Sequence, residues 1–246
     1  MKKNTMLSKM LDVLFPPVCM FCKHPLSPSD EDGMCKDCLG ALPFTENHGC
    51  FEAFGGAVYL IAPFFYKDGV KTAIRDLKFR AKYTNAATLA GFIAGYLRNI
   101  PEAVSADVII PVPLSKKSYA KRGFNQSELL GKEIGRRLGL PLDTDVLVKT
   151  RETKRQSALT NFEDRAKNVL GAFACTKDLS GKTVLLLDDI YTTGATVYNC
   201  ANALTAAGAA KVIAVTAANA HKAAGYSTHD YTGSRVIVPG LQHGTF

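Results

Sequence analysis

Tryptophan is absent from this sequence, and so is any apolar run long enough to cross a membrane as a helix. The first absence bears on no function; the second leaves no helical membrane span to be expected. No internal repeat and no low-complexity tract is evident, so neither a solenoid nor a biased linker is expected. A secretory leader is not expected at the start either. The start, MKKNTMLSKMLDVLFPP, is basic, but Lys9 and Asp12 interrupt its apolar run and no small-residue cleavage site follows. Met6, Leu7, Met10, Leu11 and Leu14 instead share one face at helical spacing. That predicts a short amphipathic helix packed on the protein and stopped at Pro16-Pro17, with a membrane-surface helix as the alternative. Cysteine lacks the even count of a disulfide scaffold. There are seven, including two CxxC pairs, a usage expected of a protein in the reducing cytoplasm.

What is present is an ordinary globular composition, 47% hydrophobic and 21% charged over 246 residues. That is enough for one domain and a small appendage, which we divide at residues 1–50 and 51–246. The net charge of +8 is unevenly spread. Residues 111–170 carry +6, against −1 for 1–50, +2 for 51–110 and +1 for 171–246. A polyphosphate ligand, a nucleic acid or a solvated basic surface would each account for such a segment.

Cys19-x2-Cys22, then twelve residues, then Cys35-x2-Cys38 is the spacing of a four-thiolate zinc site. Each pair fits a tight turn that turns two sulfurs to one side, and two such turns close a tetrahedron. So short a segment buries little, and metal binding would supply its folding free energy. Redox pairs or unrelated thiols are the alternative. Four sulfurs fill the coordination shell, so the Zn²⁺ is expected to be structural. His24, His48 and Cys50 are close enough in sequence to substitute, while Cys175 and Cys200 are expected as core thiols.

Beyond the module, strand and helix patterns alternate. Strands are expected at 57–66, 107–114, 146–150, 184–187 and 211–218. Helices are expected at 69–80, 85–100 and 127–139, around 162–169, and from residue 195 onwards. SKKSYAKRGFN (115–125) reads as a loop fixed by the prolines before it. The alternation implies right-handed βαβ units and a mostly parallel sheet flanked by helices. Residues 219–246 are weakly patterned and carry no assignment.

Residues 184–196 read VLLLDDIYTTGAT. A buried strand here delivers two adjacent carboxylates to its end, where parallel sheets bind ligands. A loop of hydroxyls and one glycine then opens a helix. Backbone N–H groups of Thr192, Thr193, Gly194, Ala195 and Thr196 can converge on one anion, helped by the helix dipole. Asp188 and Asp189 suit the vicinal hydroxyls of a ribose, directly or through water and a hydrated Mg²⁺. Hydroxyls on carboxylates and phosphate on a loop describe a sugar phosphate. A plain strand-loop-helix turn would explain one Asp, but poorly two beside three threonines.

DDIYTTGAT resembles the phosphoribosyl diphosphate (PRPP) motif of type I phosphoribosyltransferases. With the CxxC pairs, LKFR (77–80), IIPVPL (109–114), RGFNQSELL (122–130) and RQSALTNFEDRAKNVLGAF (155–173), the chain resembles the ComF family of competence-associated proteins. The resemblance implies a type I phosphoribosyltransferase-like α/β fold with a zinc-binding appendage, and a link to DNA uptake. It implies Asp188 and Asp189 at the ribose hydroxyls and Thr192–Thr196 around the 5′-phosphate. The loop Pro113, Leu114 and Ser115, with Lys116, would handle pyrophosphate. Arg122 lies in a family block near the site; with Lys116, Lys117 and Lys121 it places four cations in one segment, suited to a diphosphate. Lys78 and Arg80 would face phosphate or nucleic acid. Pentosyl transfer from PRPP with Mg²⁺ is the implied reaction, and the zinc module with residues 51–66 is where an acceptor would be selected. A second reading is a non-catalytic adaptor for single-stranded DNA and a competence helicase, with Phe79, Tyr83, Tyr119 and Phe124 beside basic residues.

Overall fold

A computed structural model of the chain describes residues 16–27, 30, 33–45, 49–53, 56–80, 82–151 and 171–220; for 49–53, 56 and 57 it describes the backbone alone. The helices expected at 6–14 and around 162–169, and the tail beyond 220, lie outside the described residues.

In chain order the strands are β1 (Gly49–Ala53), β2 (Gly56–Ile61), β3 (Phe64–Phe65), β4 (Val108–Pro111), β5 (Leu147–Lys149), β6 (Phe173–Cys175), β7 (Thr183–Tyr191) and β8 (Lys211–Asn219). The helices are α1 (Lys36–Gly40), α2 (Asp68–Arg80), α3 (Tyr83–Leu97), α4 (Pro101–Val104), α5 (Lys116–Arg122), α6 (Gln126–Leu138) and α7 (Ala195–Ala206). The main sheet runs β1-β2-β8-β7-β4, with β3 pairing farther along β8. Every pairing in it is parallel except β1 with β2.

Side-chain alternation fixes which helix covers which face. Leu185 and Leu187 of β7 and Ile213 and Val215 of β8 pack with Ile74, Leu89 and Ile134, from α2, α3 and α6. Val184, Leu186, Val212 and Ala214 pack on the opposite face with Val197, Cys200 and Leu204 of α7. Both faces are thus buried, which is why these strands read as continuous apolar runs. Because β4 pairs with β7 through Pro111 opposite Leu187, the loops leaving the two strands lie side by side. Chain order β7-α7-β8 with parallel pairing is one complete βαβ unit.

Several expectations need correction. The segment 115–125 is not a loop, since Lys116–Arg122 forms α5. Ser115 caps it by accepting from the Ser118 N–H at 3.2 Å, and Gly123 ends it at φ 79°. α5 buries none of its residues, so no apolar periodicity could betray it. The strand expected at 57–66 is two strands interrupted at Ala62-Pro63. The strand expected to end at Leu187 instead continues through both aspartates to Tyr191, held in register by β8. The strand expected at 146–150 is β5, which leaves the main sheet and pairs antiparallel with β6. Cys200 is a core thiol as expected, but Cys175 is only half-buried and its thiol donates to the Lys177 carbonyl.

Candidate functional site

The site is built at the C-terminal ends of β4 and β7. Asp188 Oδ1 accepts from Ser127 Oγ at 3.2 Å and from the Asp189 N–H at 2.8 Å. Asp189 is 4% exposed and faces α2, where Lys78 Nζ stands 2.6 Å from its Oδ2. Burial, and then the neighbouring Asp189 charge, push the Asp188 carboxyl up to about 7, against the opposing pull of Lys78 and the two donors. Two adjacent acids at the end of a buried strand cannot both ionise freely, and one cation and two neutral donors moderate them.

The loop after β7 enters α7 through Gly194, at φ 76°. A Cβ there would stand 2.4 Å from the Tyr191 hydroxyl oxygen. Glycine is required twice over, by its left-handed backbone and by Tyr191 folded across it. Among the described residues, three buried side-chain polar atoms have no hydrogen-bond partner: Thr193 Oγ1, Asp189 Oδ2 and Arg137 Nε. The Lys78 contact to Asp189 Oδ2 is therefore an ion pair without hydrogen-bond alignment. Thr193 Oγ1, in the same short motif, has neither a hydrogen bond nor a charge to meet it, and a buried polar atom without a partner is costly unless something else satisfies it.

The loop after β4 is braced by Asn125. Its Nδ2 donates to the Val112 carbonyl at 3.0 Å while its Oδ1 accepts from the Ser127 N–H at 3.0 Å, capping α6. Pro113 and Leu114 line a small cavity with Tyr119, Asn125 and Glu128. Ser115 is buried and Lys116 exposed. Arg122 bonds Gln126 and lies over the Phe79 ring, 5.7 Å from its centroid.

Alongside α2 the four thiols gather. The sulfurs of Cys19, Cys22, Cys35 and Cys38 lie within 4.8 Å of one another, with Cys22 and Cys35 at 3.7 Å. A tetrahedral zinc ion with Zn–S bonds of about 2.3 Å sets its sulfurs about 3.8 Å apart, so the residues fit the metal. Burial pushes the Cys19 thiol up, but hydrogen bonds from the backbone at Cys35, Cys22 and Phe21 outweigh it and bring the thiol down to about 6. The module is docked, not loose. Met20 is 5% exposed and belongs to the core under α2 and α3. Phe21 lies so close over Gly69 that a Cβ there would stand 2.5 Å from its ring. Lys23 reaches Asp76 of α2 at 3.4 Å, a carboxylate also met by Arg80 and Lys82.

Two family models match. Residues 125–241 match the phosphoribosyl transferase domain and residues 10–53 the double zinc ribbon domain. Among curated proteins, the chain is 30% identical over 197 residues to the competence protein ComFC of Streptococcus pneumoniae, covering 79% of this chain and 84% of that protein. The chain belongs to the ComF family. It is also 29% identical over 216 residues to the DNA utilization protein YhgH of Escherichia coli O157:H7, covering 80% of this chain and 94% of that one. A solved glutamine PRPP amidotransferase from B. subtilis overlaps 61% of this chain and 27% of its own at 21% identity and a TM-score of 0.36, too loosely to argue from.

This ComF-family chain thus carries a structural zinc ribbon on a phosphoribosyltransferase-type domain, and no helix among its described residues is long and apolar enough to cross a membrane. Of the residues singled out in the sequence, the structure brings Asp188 and Asp189 together with the Thr192–Thr196 loop that follows them. It places Pro113–Ser115 on the adjoining strand end and turns Arg122 toward Phe79. Lys78, expected to face phosphate or nucleic acid, stands 2.6 Å from Asp189 Oδ2. Ser127 was missed. Its signal is only the asparagine two residues earlier, a helix cap that points the first turn of α6 at β7.

Proposed function

We propose that this ComF-family protein binds a ribose 5-phosphate group, as PRPP with Mg²⁺ or as a simpler sugar phosphate, and works in DNA uptake or utilisation. The observation that carries the ligand is the acid pair at the end of β7 beside an orphaned buried hydroxyl, Thr193 Oγ1. Sugar hydroxyls supply donors to the first; a phosphate oxygen supplies an acceptor to the second. Asp188 and Asp189 take the hydroxyls. Thr192, Thr193, Gly194, Ala195 and Thr196 surround the phosphate at the start of a twelve-residue helix. Pro113, Leu114, Ser115 and Lys116 lie where a diphosphate would extend, and Arg122 joins them by leaving Phe79. Mg²⁺ offsets charge on the diphosphate when bound. If an acceptor is present, the chemistry is pentosyl transfer with pyrophosphate leaving, and this chain contributes position and electrostatics. The role in DNA handling follows the names of the relatives, a competence protein and a DNA utilization protein.

Calorimetry with PRPP–Mg²⁺ and with ribose 5-phosphate tests the ligand. Gly194→Val should abolish binding of both, because the new side chain drives Tyr191 off the loop and strains a left-handed backbone. Wild-type protein that binds neither compound sinks the proposal.

A second reading has its own observation. Phe79 is 70%, Tyr83 54% and Tyr119 49% exposed, with Arg122 over the Phe79 ring and lysines within two residues of each tyrosine. Such a surface fits single-stranded DNA, with a helicase-type partner acting on the same strand. Affinity should then fall with salt in a log–log slope of roughly −0.7 per phosphate contact. Charge reversal at Lys116, Lys117 and Lys121 should flatten that slope; an unchanged slope returns these lysines to a solvated surface.

A further inference from the structure

The acid pair already has a cation. The Lys78 side chain is 19% exposed and that of Asp189 6%, so the 2.6 Å contact between them is largely shielded from water. The two carboxylates are consequently unlike. Asp189 is balanced by a full charge, whereas Asp188 is held by two neutral donors, the Ser127 hydroxyl and a backbone N–H. A divalent ion coordinated directly by both acids would meet the ammonium at the oxygen it needs. Sugar hydroxyls meet no such conflict. A carboxylate offers about four lone-pair sites, and the single ammonium on Asp189 Oδ2 leaves the other oxygens of the pair to accept.

Lys78 is also held in place. Two residues earlier on α2, buried Asp76 is met by Lys23 of the zinc knuckle at 3.4 Å, by Arg80 at 3.3 Å and by Lys82 at 3.4 Å. Leu77 between them is fully buried. The turn of helix that delivers the ammonium is anchored just before it, at Asp76 and Leu77.

We propose that Lys78 is a specificity-determining residue of this site: it stands in for a directly coordinated divalent metal ion and reserves the acid pair for hydroxyl donors. The inference rests on reading Asp188 and Asp189 as the hydroxyl end of a sugar-phosphate site. Any Mg²⁺ that accompanies a diphosphate is then held by the ligand's own oxygens, and a sugar monophosphate binds without divalent metal.

The test uses the zinc-loaded full chain and two probes. Direct Mn²⁺ binding, followed by the EPR signal of the free ion, reads the acid pair without any sugar. Wild type should show no Mn²⁺ site that Asp189→Asn removes. Lys78→Met should gain one at least tenfold tighter than any wild-type site, lost again when Asp189→Asn is added, while Lys78→Arg should gain none. Ribose 5-phosphate should bind wild type equally with and without Mg²⁺. It should bind Lys78→Met at least tenfold more weakly without Mg²⁺, with recovery in millimolar Mg²⁺. Should methionine at 78 unfold the chain by circular dichroism, Lys78→Gln carries the same arm. An Asp189-dependent Mn²⁺ site on wild type overturns the proposal, and so does a charge-neutral variant that gains none. If the variant gains the site and wild type binds no sugar phosphate, Lys78's role stands and the sugar-phosphate reading falls.

Discussion

Asp188→Asn combined with Asp189→Asn will weaken binding of ribose 5-phosphate or PRPP at least tenfold while leaving a folded protein. A hydrogen bond to a charged group contributes about 1.5–3 kcal/mol, and about 1.4 kcal/mol is a factor of ten in affinity, so loss of either charged acceptor reaches the threshold. Survival of the fold follows from opposing terms. Neutralising Asp189 leaves Lys78 without its partner, but that side chain is 19% exposed and can turn toward water. Neutralising Asp188 relieves a group whose charged form is disfavoured by burial and by Asp189. Its carboxyl is raised to about 7, above the ordinary aspartate value, so the folded state holds the proton more tightly than the unfolded chain does. That contribution to stability is present at low pH and is lost as pH rises from the aspartate range through about 7. The single variant Asp188→Asn should therefore gain stability relative to wild type over that window in urea titrations. Calorimetry at pH 8 decides the main claim; equal affinity in wild type and double variant would reduce DDIYTTGAT to a structural turn.

Much of this site was legible because its chemistry is contiguous. Two acids, three threonines and a glycine within nine residues need no tertiary information to be read together. The same holds for two CxxC pairs, since thiolate spacing is itself the signal. What could not be read was whatever depends on an element without a core-facing stripe. α5 buries nothing, so its seven residues looked like a basic loop although Ser115 and Gly123 bracket them as caps. The end of β7 was misplaced for a related reason. Asp188 and Asp189 end the apolar run, but pairing with Thr216 and beyond on β8 carries the strand through to Tyr191. Tertiary hydrogen bonding there overrides local preference. The Lys78–Asp189 pair joins residues far apart in sequence, and nothing local marks which of 30 basic residues would meet the second acid.

Removing zinc should destabilise the whole chain, because the knuckle is part of the main core. Cys19 and Cys22 bracket Met20 and Phe21. Met20 is 5% exposed in the same cluster as Leu77 and Leu89, and Phe21 packs against that cluster over Gly69. Backbone bonds from the Cys19 N–H to the His24 carbonyl at 2.8 Å and from the Lys23 N–H to the Cys19 carbonyl at 3.0 Å shape the turn, and the metal locks it. Without metal, four thiols crowded within 4.8 Å lose their common partner, and the turn that inserts Met20 is left to its backbone bonds and apolar contacts. Exposing one such side chain costs about 1.5–3 kcal/mol, and in a chain of this size about 1 kcal/mol shifts the melting temperature by about 2–4 °C. Chelation, or Cys38→Ser, should therefore lower the melting temperature by about 3–12 °C in one cooperative transition. Lys23 would also release Asp76, so α2 and with it Lys78 should become less fixed. The preparation must first contain one zinc per chain by elemental analysis. Well under one equivalent, with all four thiols freely alkylated, removes the metal site. A full equivalent whose removal leaves the melting temperature unchanged would mean that the knuckle rests on the core without supporting it, against the burial of Met20.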